Sequence, residues 1–241
     1  STGIFTEYEK AQAHIIAGAK RVVISGPVKQ DSELGATVLM GLNEDRIAAH
    51  KITSNASCTT NATSPIVAIL DRTLGIDKAL LSTTHAYTAS QSLVDGPSKK
   101  DVKEGRAAAQ NIVPTSTGAA IAVTKAYPAL LGRFDGISLR VPVPAGSITD
   151  VTFIAKRETT AEEVNDILRK AAKDPHWEGI FTVSDEELVS SDIIGQPYAA
   201  IADLPMTRVI GNLVKVLTWY DNEMGYCHML ARHVAEAGKA L

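Results

Sequence analysis

The 241-residue sequence predicts a two-part protein of α/β and α+β class: the remnant of a parallel sheet, followed by a larger domain with a mostly antiparallel sheet and flanking helices. Three observations carry that expectation. Over residues 7–54 short apolar runs alternate with a helical stretch, the pattern of βαβ units. Over residues 136–220 strand-like runs dominate, and residues 147–157 alternate polar with apolar as a sheet with one solvated face does. No repeat, low-complexity tract or Gly/Ser linker separates the two parts, so they are expected to share an interface. Boundaries near Ser57 and Tyr220 divide the chain into 1–57, 58–220 and 221–241.

Residues 7–17 read as a helix stopped by Gly18, and residues 21–25 as a strand. Further strands are expected at 37–42 and 51–54. The stretch SNASCTTN at 54–61 is crowded with cap and turn residues, and Ile66, Val67, Ile69 and Leu70 follow at helical spacing, so a helix begins near Cys58 and ends near Gly75. A buried strand at 79–84 then delivers His85. Residues 87–117 are polar and irregular, and a loop of that length in a compact domain is either functional or conceals an element that the pattern does not show. A helix at 118–127 stops at Pro128, and strands are expected at 136–143 and 147–157. Thr159 and Thr160 are spaced for capping boxes with Glu162 and Glu163 ahead of an apolar stripe, Val164, Ile167, Leu168 and Ala171. Strands at 180–183, 198–202 and 213–220 complete the sheet. A last helix places Met229, Leu230, Val234, Ala237 and Leu241 on one face.

The composition is 45% hydrophobic and 21% charged, ordinary for a soluble globular chain. A net charge of −3, with basic clusters no longer than pairs such as Lys99-Lys100, gives no footprint for nucleic acid. No apolar run reaches the roughly 18 residues of a membrane span, and no charged-then-apolar leader is present. Cys58 and Cys227 lie far apart and form neither a metal spacing nor a disulfide framework, which suits a reducing compartment, by default the cytoplasm.

Six of the seven neighbours of Cys58 within SNASCTTN are hydroxyl or amide residues except for one alanine, an unusual setting for a core cysteine. At a helix N-terminus the unpaired N–H groups and the positive dipole end favour a thiolate, the form that attacks carbonyl carbon, and can also hold an oxyanion or a phosphate. A cysteine nucleophile needs a base, and His85, flanked by Thr83, Thr84 and Thr88, stands where a helix–strand pair can bring it to Cys58. His14, His50, His176, His228 and His233 read as solvated or structural. Arg140, alone in the apolar run ISLRVPV, requires an anionic partner, either a structural carboxylate or a ligand phosphate. Ser116-Thr117-Gly118-Ala119 at a helix start is a second place for an anion.

SNASCTTN, HAYT, NIVPTSTGAA, LRVPVP and WYDNEMGY, in this order and spacing, resemble phosphorylating glyceraldehyde-3-phosphate dehydrogenase of type I, from residue 1 to the C-terminus. The resemblance implies that Cys58 attacks the aldehyde of glyceraldehyde 3-phosphate, that His85 takes its proton, and that hydride passes to NAD, with NADP the lesser expectation since Pro97 leans towards NAD. Inorganic phosphate then resolves the thioester. It further implies that Thr88 and Arg140 hold the substrate's phosphate. Ser57, Thr59, Thr117 and Gly118, with Arg140 shared, hold the attacking phosphate. Asn222 and Tyr226 face the nicotinamide, Ser25 touches the cofactor, and the 87–117 loop lies at the interface of a homotetramer. Residues 1–57 become the C-terminal remnant of a Rossmann NAD-binding domain, on which residues 221–241 pack back. The family's opening glycine fingerprint is absent, so the chain is expected to be a piece of a longer polypeptide. Ala62 stands where many members carry a second cysteine, which excludes a local disulfide with Cys58, and Val143 and Ala145-Gly146 differ from the residues usual after the arginine strand. The alternatives are a relative acting on erythrose 4-phosphate, a truncated catalytic module that binds sugar phosphates without hydride transfer, and an interaction protein using the long loop.

Overall fold

The computed structural model describes residues 3–30, 32–98 and 101–241. Ser1 and the Lys99-Lys100 pair lie outside the described residues. Helix α1 (Tyr8–Ile16) and strands β1 (Val22–Ile24), β2 (Gly35–Thr37) and β3 (Ile52–Ser54) form the first unit, a parallel sheet in the order β1-β3-β2. The expected strand at 37–42 sits earlier than its apolar residues suggest. Val38–Met40 are buried without strand pairing because Asn43 holds them in a turn: its Oδ1 accepts from Leu39 N at 2.9 Å and its Nδ2 donates to Thr37 O at 2.9 Å. A four-residue helix, α2 (Arg46–Ala49), leads to β3.

The chain then enters α3 (Cys58–Thr73), whose start is set by Ser57: its Oγ accepts from Thr60 N at 3.2 Å, filling one of the orphan donors of the first turn. Pro65 lies inside this helix, and the Ser64 hydroxyl donates to the Asn61 carbonyl that Pro65 cannot reach. From α3 the chain passes along β4 (Ile76–Ala86), through the long loop to β5 (Val113–Ser116), α4 (Ala119–Ala126), β6 (Phe134–Val141), β7 (Ser147–Ala155) and α5 (Ala161–Ala172). Strands β8 (Phe181–Ser184), β9 (Ala200–Ile210) and β10 (Leu213–Tyr220) precede the final α6 (Met224–Lys239).

Seven strands pair in the order β5-β6-β4-β7-β10-β9-β8. Only β4 with β6 and β8 with β9 run parallel, so the sheet is mostly antiparallel, as expected. Its inner face packs on α3, α4 and α5, with Leu81, Val151, Phe153, Val214 and Val216 meeting Ile66, Leu70, Val123 and Leu168 in one buried core. Strand β9 runs eight residues past its expected end. The signal lay in Gly211-Asn212, a two-residue hairpin loop in which Gly211 takes a φ of +61°.

Two expectations about helix faces change. Only Thr160 caps α5 through its side chain, accepting from Glu163 N at 3.1 Å, while the Thr159 hydroxyl donates to the Glu163 carboxylate at 2.7 Å. On α6 the buried stripe is Gly225, Met229, His233 and Ala237, whereas Val234 and Leu241 are 51% and 70% exposed. The stripe follows i, i+4 spacing, and a histidine occupies it because both ring nitrogens find partners: Nε2 with Thr53 Oγ1 at 2.8 Å and Nδ1 with Asn55 Oδ1 at 3.1 Å. No helix among the described residues is long and apolar enough to cross a membrane.

Candidate active site

Cys58 is the first residue of α3, and the loop that delivers it is held in an unusual shape. Ala56 adopts a φ of +54°, the one non-glycine residue with positive φ among those described. The backbone is fixed there because Ala56 N donates to Ser54 Oγ at 3.1 Å and Ala56 O accepts from the Tyr226 hydroxyl at 3.3 Å. Non-glycine residues in this region cost roughly 1–3 kcal/mol and gather at functional sites. The turn aims the Cys58 side chain at the end of β4, where Sγ lies 3.3 Å from His85 Nε2.

Parallel pairing of β4 with β6 puts Arg140 directly opposite His85. Its Nη1 is 2.7 Å from His85 Nδ1 and 3.5 Å from Ala86 O. No carboxylate pairs with Arg140 among the described residues, and its buried Nε has no hydrogen-bond partner. The structural-carboxylate reading of Arg140 is therefore set aside; the guanidinium is a cation aimed into the site.

The electrostatics differ from those expected of a helix N-terminus alone. Burial pushes the Cys58 thiol above its usual value, while the Thr59 N–H and hydroxyl and the Arg140 charge pull it back without winning. Burial, seconded by Arg140, lowers His85 to about 4, so its imidazole is neutral at pH 7. The resting pair is a thiol beside an uncharged ring.

The other sequence-assigned residues fall around this pair at varying depth. Ser57 Oγ, the cap of α3, is 2.7 Å from Thr60 Oγ1. Thr59 is buried, with its hydroxyl 2.9 Å from Tyr220 Oη, and its hydroxyl and backbone N–H both act on the Cys58 sulfur. Thr117 Oγ1 accepts from Ala119 N at 3.2 Å, Gly118 stands at the N-cap of α4, and Thr88 Oγ1 is 3.1 Å from Ser90 Oγ. Neither these three nor Ser25, exposed just after β1, makes a hydrogen bond to Cys58, His85 or Arg140. Asn222 Oδ1 accepts from Ser147 Oγ at 3.0 Å, and Ser147 Oγ in turn accepts from Ala86 N at 3.1 Å, tying the start of the last segment to the end of β4.

Tyr220 was missed as a site residue. Its buried hydroxyl joins Thr59 to Thr83, both at 2.9 Å, and its ring stands edge-on to His85 at 5.9 Å. The signal was present in WYDNEMGY, but nothing in that run told Tyr220 from Tyr226. Asn55 was likewise unassigned, although its Nδ2 is buried without a partner beside the same loop.

The adjacent parallel strands of the mixed sheet thus bring a histidine and an unpaired arginine beside a cysteine that opens a helix. Residues 57–222 match the model of the glyceraldehyde 3-phosphate dehydrogenase C-terminal domain. The whole chain is 47% identical over 242 residues to the glyceraldehyde-3-phosphate dehydrogenase of Mycolicibacterium smegmatis and to that of Mycobacterium avium, covering 70% of each relative's length. The enzyme of Streptomyces coelicolor is 46% identical over 244 residues, with 71% of its length covered. The chain belongs to the glyceraldehyde-3-phosphate dehydrogenase family.

Proposed function

We propose that the chain carries the catalytic machinery of a glycolytic glyceraldehyde-3-phosphate dehydrogenase, oxidising the aldehyde of glyceraldehyde 3-phosphate and transferring the acyl group to inorganic phosphate. The observation that carries this reading is the 3.3 Å approach of Cys58 Sγ to His85 Nε2 beside the uncompensated Arg140 guanidinium. Cys58 attacks the aldehyde carbon and His85 takes the thiol proton, giving a thiohemiacetal on sulfur. The first-turn N–H groups of α3 face the developing oxyanion. A bound nicotinamide dinucleotide, NAD in preference to NADP, supplies the hydride acceptor. With that acceptor bound, Cys58 would carry the acyl group as a thioester, and inorganic phosphate would displace the sulfur as thiolate to give the acyl phosphate. Arg140 serves both phosphates, Thr88 the substrate's, and Ser57, Thr59, Thr117 and Gly118 the attacking one.

The residues present fit the nicotinamide end of the cofactor. The Asn222 amide nitrogen makes no hydrogen bond within the described residues, while its oxygen is anchored by Ser147, and the Tyr226 ring is held by the Ala56 carbonyl. Ser25 contributes from the first unit. Residues 1–57 then belong to the nucleotide-binding domain, 58–220 to the catalytic domain, and 221–241 pack back on the first, as the contacts of His233 with Thr53 and Asn55 support. A cytoplasmic homotetramer suits the outward face of the large sheet, where Leu80, Ile137 and Leu213 are exposed.

The test is spectrophotometric. The chain extended by an N-terminal nucleotide-binding segment of the family, mixed with glyceraldehyde 3-phosphate, inorganic phosphate and NAD, is expected to form NADH, with a smaller rate on NADP, and its Cys58→Ser variant to form none. NADH formation that survives Cys58→Ser would remove the thiol from the mechanism.

A further inference from the structure

His85 Nδ1 faces two partners of opposite kind at the same distance. Arg140 Nη1 and Ala86 O each lie 2.7 Å from it. A guanidinium has only hydrogens to give and stays charged at any working pH, whereas a backbone carbonyl has only lone pairs. One ring nitrogen can satisfy one of them at a time. If Nδ1 carries hydrogen it donates to Ala86; if it is bare it accepts from Arg140. In a neutral imidazole the choice at Nδ1 fixes the opposite state at Nε2, the nitrogen 3.3 Å from Cys58 Sγ.

The two states differ in what they can do. Held by Arg140, the ring has its hydrogen on Nε2 and can only donate to the sulfur. Held by Ala86, the ring has a lone pair on Nε2 and can take the thiol proton. We propose that Arg140 is a positioning residue as well as an anion ligand: it latches His85 in the tautomer that cannot act as base, and a phosphate group that draws the guanidinium away releases the base. The proton balance closes without any further reactant. Nε2 gives its hydrogen to solvent as Nδ1 gains one shared with Ala86 O, and Nε2 then accepts the Cys58 proton, leaving a thiolate beside an imidazolium.

The surroundings favour release. Arg140 has no carboxylate partner, its Nε is buried and unpartnered, and its contact with Ala86 O is a long 3.5 Å, so the neutral Nδ1 is its one close acceptor among the described residues. A phosphate offers charged oxygens in the forked geometry that guanidinium binds best. The titratable and charged groups facing His85 are Cys58 from α3, Arg140 from β6 and the Tyr220 ring from β10. Among the described residues Arg140 is the one charged group acting on the ring.

The proposal rests on the reading of Cys58 and His85 as nucleophile and base. Its test reads the imidazole directly: long-range heteronuclear NMR of the ring nitrogens, with His85 assigned by loss of its signals in His85→Asn. Without anion, the unprotonated resonance is expected at Nδ1. On saturation with inorganic phosphate, or with glycerol 3-phosphate as an ester lacking the aldehyde, it is expected to move to Nε2, and with glycerol to stay. A response to only one of the two anions identifies which phosphate opens the latch. Arg140→Met is expected to show Nδ1 protonated with no anion present. An unchanged tautomer in wild-type protein under both saturating anions, or Nδ1 bare in Arg140→Met, overturns the proposal. Alkylation of Cys58 by neutral iodoacetamide gives a second readout. A released base raises the rate when phosphate is added, whereas an anion acting on the thiol by charge alone lowers it. If His85→Asn alkylates at the wild-type rate, the base reading fails, and the NMR result stands apart from it.

Discussion

At Cys58 two opposing effects meet in one side chain. The helix start and Arg140 favour a thiolate, and burial in the same pocket opposes it more strongly. Reactivity therefore depends on a neighbour that can accept a proton, and His85, lowered to about 4, is uncharged at neutral pH and can do so in the tautomer that leaves Nε2 bare. Replacing His85 by Asn is expected to reduce kcat by about 10²–10⁴-fold, the usual loss for a general base. Full turnover at pH 7 in that variant would assign the proton to another group. Arg140→Ala is expected to raise the KM for both glyceraldehyde 3-phosphate and inorganic phosphate; a KM unchanged for both would leave the arginine without a ligand role. Tyr220 acts through the hydroxyls it joins. Tyr220→Phe keeps the ring against His85 but leaves Thr59 and Thr83 without their shared partner, a loss on the order of 1–3 kcal/mol for a buried hydrogen-bonding group, measurable by denaturant unfolding. An unfolding midpoint unchanged by the substitution would show that the two threonines find other partners.

At the scale of elements, capping and register do most of the positioning. Ser57 decides where α3 begins, and the first helical residue is Cys58, so a frayed first turn would move its thiol relative to β4. Thr160 offers a control far from the chemistry: Thr160→Ala removes the side-chain cap of α5 and is expected to cost about 1 kcal/mol of stability with kcat and KM unchanged. A fall in kcat without a fall in unfolding midpoint would mean that α5 communicates with the site. Strand register does the rest. Because β4 and β6 are parallel, His85 and Arg140 come level only through that alignment, and the antiparallel β7 brings Ser147 to the same end.

For the molecule as a whole, two buried histidines make stability sensitive to acid. His85 and His233 are each lowered from 6.5 to about 4, in both cases chiefly by burial. Between those values the unfolded chain binds protons that the folded chain refuses, so stability is fully present above pH 6.5 and falls as pH drops towards 4. The loss is on the order of 3 kcal/mol apiece at most. His233→Leu is expected to flatten the dependence of unfolding free energy on pH across this window, and an unchanged slope would show that His233 is already protonated or exposed in the native state. The exposed Leu80, Ile137 and Leu213 lie on the sheet face opposite the helices, so Ile137→Lys is expected to lower the assembled mass measured by sedimentation.

The helix that Cys58 opens, the parallel-then-antiparallel division and most strands were legible in the sequence, because caps, turn residues and hydrophobic period are local signals. Gly18, Ser57, Thr160 and Pro128 mark their elements within a few residues of where they act. The sequence also marked Arg140 as unusual, since a lone cation in an apolar strand needs an explanation wherever it lies. It left open whether a carboxylate or a ligand answers that cation. It could not show the left-handed turn at Ala56, the burial of His233 in place of Val234, or the bridge that Tyr220 makes between Thr59 and Thr83, which lie 161 and 137 residues away along the chain. Those depend on which strands become neighbours and in what register. Residue types and spacings determined that a thiol, an imidazole and a guanidinium were available. Only the tertiary structure decided that they meet, that burial makes the thiol reluctant to ionise, and that one nitrogen of His85 is contested by a cation and a carbonyl.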